Sequence, residues 1–274
     1  MKVAICSRPN FADAVAAAKS AAVRVRSFGH EVVEVGLDDV KPAQLAGVEI
    51  AAIFGGDGTM LHAARALAPR GVALLGVNIG HLGFLTIATT TEFDAAFADV
   101  AAGRYEVEER AMLDASLMRG GRELASGLAL NDVVVARGAL VRSIHVQVTV
   151  DDAPLIQYWA DGVITATATG STAYAFSVGG PLILPTSLNI TLVPIAPHLS
   201  FPNAFVFDPD QRIRLDVQDE PARLSIDGQV EHDVRSGDRV EVARSKTVAK
   251  LIRTAHATPF LSLLRQKILK EPEK

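Results

Sequence analysis

Ile50-Ala51-Ala52-Ile53-Phe54-Gly55-Gly56-Asp57-Gly58-Thr59 is the stretch on which the reading of this chain turns. Five apolar residues make the run of a buried strand. Glycines and an aspartate punctuate it, and a helical stretch follows from about Thr59 to Ala68. Strand, glycine turn and helix in that order are the first half of a βαβ unit. The alternation continues on both sides. Lys2–Cys6 is a short apolar strand, and Phe11, Ala14, Val15, Ala18, Ala22 and Val25 recur at helical spacing up to a stop at Gly29. Val32–Val35 and Val72–Val77 read as further strands, and Thr91–Ala101 as a further helix. This rhythm predicts an α/β domain over 1–104, with a parallel sheet covered by helices.

After Arg104 the period changes. Ile144, Val146, Val148 and Val150 alternate with polar residues, and Asp151-Asp152 follows as a turn. Ile213, Leu215 and Val217 alternate in the same way, and Val240 and Val242 flank Glu241. Short alternating strands predict a β-rich antiparallel domain, a β-sandwich, over 105–250. The segment 251–274 contains an amphipathic helix over Pro259–Leu269, expected to pack back on the first domain, and a frayed tail from Glu271 to Lys274.

The 274 residues are 49% hydrophobic and 21% charged with a net charge of -4, which fits a folded protein and removes bulk charge as a route to nucleic acid. One cysteine, Cys6, excludes an intrachain disulfide and reads as a core thiol suited to a reducing cytoplasm. Lys19 interrupts the apolar stretch Ala14–Val23, so no signal peptide is expected. Gly162 to Phe207 contains no Asp, Glu, Lys or Arg, but its glycines and prolines forbid a spanning helix. It reads as buried strands and turns, or as a neutral pocket lining.

Four constellations carry chemistry. In Gly55–Thr59, glycines at the end of a strand let backbone amides approach phosphate oxygens, and the helix N-terminus adds partial positive charge. A carboxylate there would repel an anion. Asp57 makes sense as a proton acceptor for an attacking hydroxyl, or as an organiser of a metal. The plainer alternative is a tight turn with Thr59 as a helix cap. Neither a Gly-Lys-Ser/Thr phosphate loop nor a G-x-G-x-x-G fingerprint in the first βα turn is present. Gly76-Val77-Asn78-Ile79-Gly80-His81-Leu82-Gly83-Phe84-Leu85 is a second glycine-rich turn after a strand. Asn131-Asp132 sets an amide beside a carboxylate, which suits a purine edge or ribose hydroxyls, or simply opens a strand as an Asx turn. Asp161-Gly162 and then Ala168-Thr169-Gly170-Ser171-Thr172-Ala173-Tyr174 with Ser177 supply hydroxyls and a ring against neutral walls, the composition of a nucleoside site.

Together these segments resemble the NAD kinase family, from Ile50 to about Gln229. The Gly55–Thr59 loop has relatives in lipid kinases and phosphofructokinases; Gly76–Leu85, Asn131-Asp132 and Gly170–Tyr174 discriminate. The resemblance implies a Rossmann-like or phosphofructokinase-like first domain and transfer of the ATP γ-phosphoryl group to the 2′-hydroxyl of the adenosine ribose of NAD, giving NADP. It implies ATP and NAD as partners, a divalent metal with Mg²⁺ expected, and a homodimer or homotetramer; the single cysteine adds the expectation of a cytoplasmic location, and the charge balance and the broken apolar segment that of no nucleic-acid or membrane partner. Asp57 would accept the proton. Nucleotide would be bound by Gly55, Gly56, Gly58, Thr59, Asn78, Asn131, Asp132 and Asp161, and by Ser171, Thr172, Ala173, Tyr174 and Ser177. His62, Arg142, Ala196 and Gln229 fall by position where the family touches nucleotide, and His62 could return to the phosphates from one helical turn beyond Gly58.

The chain departs from the family at Ala168, where proline is common, and at Leu199-Ser200-Phe201-Pro202-Asn203-Ala204, where Ser-x-Arg-Pro is usual. Two other readings compete: a lipid or sugar kinase with the same loop, and a non-catalytic module that senses NAD or NADP.

Overall fold

The structure, a computed structural model, describes residues 1–80, 83–138, 142–218, 221–255 and 257–268. His81 and Leu82 of the second glycine-rich turn, Leu269 and the tail 271–274 lie outside the described residues. The chain divides into two compact units: residues 1–109 with 249–274, and residues 110–248.

In the first unit the elements run β1 (Lys2–Ser7), α1 (Ala12–Ser27), β2 (Glu31–Gly36), β3 (Ile50–Phe54), α2 (Asp57–Leu67), β4 (Ala73–Asn78), β5 (Ala88–Thr89) and α3 (Phe93–Ala101). The strands pair in parallel, β1 with β2 and β3, β3 with β4, and β4 with β5. Residues from 249 onward return to this sheet, where Lys250 and Leu251 pair with Ala73 and Leu74 of β4. Every residue of β3 and β4 is buried, as parallel strands covered on both faces require. Helix α1 turns Ala14, Ala18, Ala21, Ala22 and Val25 inward, and these small side chains let it lie close to the sheet. Phe93 and Phe97 of α3 stack at 5.7 Å in the same core. Helix α2 begins at Asp57, two residues before the sequence expectation, because Gly56 takes the extended N-cap conformation.

The second unit is antiparallel. It comprises most of β6 (Glu106–Arg119), then β7 (Arg122–Ala129), β8 (Asp132–Arg137), β9 (Ile144–Val150), β10 (Ala153–Ala160), β11 (Gly162–Ala166), α4 (Tyr174–Ser177), β12 (Ile190–Ile195), β13 (Phe205–Phe207), β14 (Ile213–Val217), β15 (Ala222–Ile226), β16 (Val230–Val234) and the first part of β17 (Arg239–Arg253). One sheet carries β10-β9-β14-β17, and the other has the order β13-β12-β11-β8-β15-β16. Val146, Val148, Leu215 and Val240 of the first meet Val133, Val135, Val163 and Leu224 of the second in one core. Each such side chain contributes about 1.5–3 kcal/mol on burial. Asp151 and Asp152 both adopt positive φ, 48° and 69°, and join β9 to β10 as a tight hairpin. The charge-free segment supplies β11, α4 and β12. Ile164, Ala166 and Val193 form a smaller core against Ala175 of α4, so β11 is buried on both faces.

The helix expected near the C-terminus spans α5 (Phe260–Lys267) and buries Leu263 and Leu264. Its Phe260 ring lies 6.0 Å from that of Phe84.

Candidate active site

The loop between β3 and α2 sits at the carboxyl edge of the parallel sheet, where open α/β sheets bind ligands. Gly55 has φ +153°, and a β-carbon on it would fall 2.3 Å from Thr59 Oγ1, so only glycine fits there. Gly56 and Gly58 are exposed, while Thr59 is buried. A cavity of about 530 Å³ lies beside the loop, lined by Gly55, Gly56, Gly58, Arg8, Phe11 and Ile79 among others. The Arg8 guanidinium stands 5.7 Å over the Phe11 ring and pairs with Asp38 at 3.1 Å. Sequence reading missed Arg8, Asn10 and Phe11. The signal was available: Ser7-Arg8-Pro9-Asn10 leaves the carboxyl end of β1, the edge at which ligands bind.

Asp57 opens α2, and each of its oxygens accepts one backbone N–H. Phe84 donates to Oδ2 at 2.8 Å and Leu85 to Oδ1 at 3.1 Å. The glycine-rich turn after β4 thus serves the first loop directly. Asn78 is buried and shapes that turn, accepting the Gly80 N–H at 2.7 Å and donating to Thr86 Oγ1 at 3.3 Å. Thr86 Oγ1 accepts the Gly83 N–H at 2.9 Å. His62 is half-buried, with Nε2 2.9 Å from the Leu37 carbonyl oxygen and 3.7 Å from Asp38 Oδ1. Its ring is engaged with that segment.

In the second unit, Asn131 and Asp132 enter β8. The Asp227 carboxylate accepts the N–H groups of Leu130, Asn131 and Asp132, at 3.0, 2.8 and 3.2 Å. Thr167 closes the other side, its hydroxyl donating to the Leu130 carbonyl at 2.6 Å and its N–H to the Asn131 carbonyl at 2.9 Å. A β-carbon at Gly170 would meet the Asn131 oxygen at 2.1 Å, so the 169–172 turn can approach only as glycine. Burial pushes the Asp132 carboxyl up to about 7, and the Asp227 charge adds to the rise. Asp227 stands in an Asp-Gly-Gln turn, next to the Gln229 that the resemblance singles out, and its carboxylate is what holds the Asn131 and Asp132 amides.

The Ser171 hydroxyl is buried and committed. It donates to the Ala168 carbonyl at 2.7 Å and accepts the Ile183 N–H at 3.0 Å. Thr172 and Ala173 are half-buried, and Tyr174 and Ser177 are exposed beside them. Buried Arg110 donates to Thr169 Oγ1 at 3.2 Å.

Asp161 lies at the opposite end of β11 from this cluster, about 20 Å from Thr167 at 3.3 Å per residue. It accepts from Ser143 Oγ at 3.1 Å and pairs with Arg137 at 3.2 Å. Ala196 follows β12 at the same end with φ 44°, and the Asp161 N–H donates to the carbonyl of its neighbour Ile195 at 2.9 Å. Arg142 is exposed, and Gln229 is half-buried next to the Asp227 turn. The structure therefore gathers Asn131, Asp132 and the 167–177 segment, and sets Asp161 and Ala196 apart from them within this unit.

The family model of the ATP-NAD kinase N-terminal domain matches residues 2–105, and that of the ATP-NAD kinase C-terminal domain matches residues 130–254. This chain belongs to the NAD kinase family. The NAD kinase of Moorella thermoacetica is 44% identical over 217 residues, covering 78% of this chain and 69% of its own. That of Heliobacterium modesticaldum is 40% identical over 227 residues, covering 82% and 80%. The fold agrees with the crystal structure of an Archaeoglobus fulgidus NAD kinase in complex with ATP, at TM-score 0.80 and 25% identity over 99% of this chain and 100% of that one. Yeast NADH kinase complexed with NADH superposes at TM-score 0.85 over 100% and 89%, and at 21% identity it speaks to the fold alone. Against the NAD kinase pattern, Ala168 is buried at the start of the 169–172 turn, where its carbonyl takes the Ser171 hydroxyl. Leu199 of the divergent loop is 94% exposed with φ 47°.

Proposed function

We infer that this chain is an NAD kinase, transferring the γ-phosphoryl group of ATP to the 2′-hydroxyl of the adenosine ribose of NAD to give NADP. The observation that carries the mechanism is the Asp57 carboxylate, fixed by the Phe84 and Leu85 amides at the mouth of a glycine loop. Each oxygen keeps a lone pair beyond its N–H partner, so one can take a proton while the other holds the orientation. As the ribose oxygen forms its bond to phosphorus, its proton passes to Asp57 and the bond to the ADP oxygen breaks. A positioned base of this kind supplies about 10²–10⁴ in rate, and alignment of the two nucleotides supplies much of the rest.

The ATP phosphates are assigned to the Gly55–Thr59 amides and the cavity beside them. NAD is assigned to Asn131, Asp132 and the Thr172–Ser177 segment. A divalent metal, Mg²⁺, is proposed to enter with ATP and to neutralise phosphate charge. The donor chemistry fits a metal carried by the nucleotide: the Asp57 oxygen that does not take the proton keeps a lone pair that would hold it. A cytoplasmic location and a homodimer or homotetramer complete the proposal. They rest on the single buried Cys6 and on the family, respectively. Among the described residues no helix is long and apolar enough to cross a membrane.

The test is NADP formation from NAD, ATP and Mg²⁺ by purified protein, with Asp57→Asn in parallel. Turnover that collapses in the variant supports both the reaction and the base. Near-normal turnover by Asp57→Asn removes Asp57 from the role. Phosphorylation of a lipid or sugar, without NADP, replaces the reading.

A further inference from the structure

Asp227 occupies a turn between β15 and β16 with φ 53°, followed by Gly228 at φ 63°. Its side chain is buried, 7% exposed. Oδ1 takes the N–H groups of Asn131 and Asp132, Oδ2 takes that of Leu130, and its own N–H donates to the Asp132 carbonyl at 2.9 Å. Three consecutive amides, 95 to 97 positions away in sequence, thus converge on one carboxylate. The carbonyls of Leu130 and Asn131 are taken from the other side by Thr167. The backbone that presents Asn131 and Asp132 is held from both sides before any ligand arrives.

We propose that Asp227 is a positioning residue for the dinucleotide, acting through the Leu130–Asp132 backbone that it clamps. The inference rests on the NAD kinase reading and deepens it: through the backbone it holds, Asp227 sets where the two binding side chains stand. Two oxygens are needed. Asparagine would turn an NH₂ group toward one of the donors and lose an acceptor, and alanine would lose all three bonds. Hydrogen bonds to a charged acceptor are stronger than neutral ones, so the loss reaches the bound ligand as misplacement of the groups that hold it.

The same carboxylate faces Asp132 electrostatically. Asp132 lies on β8 between β11 and β15. Neither β11 nor the 167–172 turn carries a charged side chain. Arg110 reaches that turn at Thr169. Arg223, further along β15, is paired with Glu231 and Asp233. Asp227 is the charge that raises the Asp132 titration beyond what burial does.

The experiment compares wild type, Asp227→Asn and Asp227→Ala in steady-state assays of NADP formation across pH 5.5–8.5, with folding checked by circular dichroism. The expected result is a KM for NAD raised roughly ten- to a hundredfold in Asp227→Ala, less in Asp227→Asn, with the KM for ATP held. The inflection of the NAD KM near neutral pH should move to lower pH in Asp227→Asn, which a purely structural role would not produce. An NAD KM within twofold of wild type and an unmoved inflection in Asp227→Asn overturn the proposal, as does equal weakening of both substrates. If the variants do not fold, amide hydrogen exchange of the ligand-free wild type decides. Protected Leu130 and Asn131 amides support the clamp, and amides exchanging at the unprotected rate overturn it. Wild type is assayed first. If it makes no NADP, the kinase reading fails on its own, and titration of NAD onto the three proteins still tests the clamp.

Discussion

A β-carbon placed on Gly83 would lie 1.8 Å from Oδ1 of Asp57. The turn after β4 therefore wraps the carboxylate closely enough that no side chain fits. Gly83→Ala must push the Asp57 carboxylate off the amides of Phe84 and Leu85 or lift the turn away. We expect kcat to fall toward the level of Asp57→Asn, about 10²-fold or more below wild type. The helical and sheet signals in circular dichroism should be kept. A kcat within threefold of wild type would mean that the carboxylate orientation does not matter.

Ser171 and Tyr174 stand three residues apart and should behave oppositely. Ser171→Ala leaves the Ile183 N–H without its Oγ partner and should cost about 1–3 kcal/mol of stability by chemical denaturation. Tyr174 is 45% exposed, so Tyr174→Ala should change stability by less than about 0.5 kcal/mol while raising the KM for NAD. Equal stabilities for the two variants would contradict the assignment.

Asp132 ties stability to pH. Its folded-state titration lies near 7, above the 3.8 of an ordinary aspartate, so the folded chain binds more protons than the unfolded one between these values. The contribution of this group is fully present below about pH 4 and is lost as pH rises through about 7. Asp132→Asn removes the titration. The melting temperature of the variant relative to wild type should climb between pH 4 and 7 and level off above. A pH-independent difference in thermal melts would count against the shift.

Cys6 is fully buried in β1, and burial pushes its thiol up to about 12. A thiol of that kind is almost wholly protonated at neutral pH and out of reach of reagents. Native protein should show no reaction with a disulfide reagent at pH 8, and denatured protein should show one thiol per chain. Rapid labelling of native protein would place Cys6 at the surface.

Much of the fold was legible because the signals are local. The runs Ile50–Phe54 and Ile144–Val150 sit in the structure as β3 and β9, since apolar run and strict alternation report burial on two faces or one. The positive φ values of Asp151 and Asp152 follow the same logic, because a short polar side chain tolerates them. The start of α2 was read two residues late. The N-cap is set by the extended backbone of Gly56, which the helical period does not reveal.

By itself the sequence determined the βαβ order of the first unit, the change from parallel to antiparallel architecture, and the chemical types present at the glycine-rich turns. These depend on period, backbone freedom and composition, all of which act over a few residues. Tertiary structure alone decided what each polar group does. It gave Asp57 its donors from 27 and 28 residues away, and spent the Ser171 hydroxyl on Ile183. It also turned Asp227, in an ordinary Asp-Gly turn, into the acceptor for three amides of a distant strand entrance. The physical reason is range. A buried carboxylate takes whatever donors the packed chain brings within 3 Å, and that neighbourhood exists only once the sheets have formed.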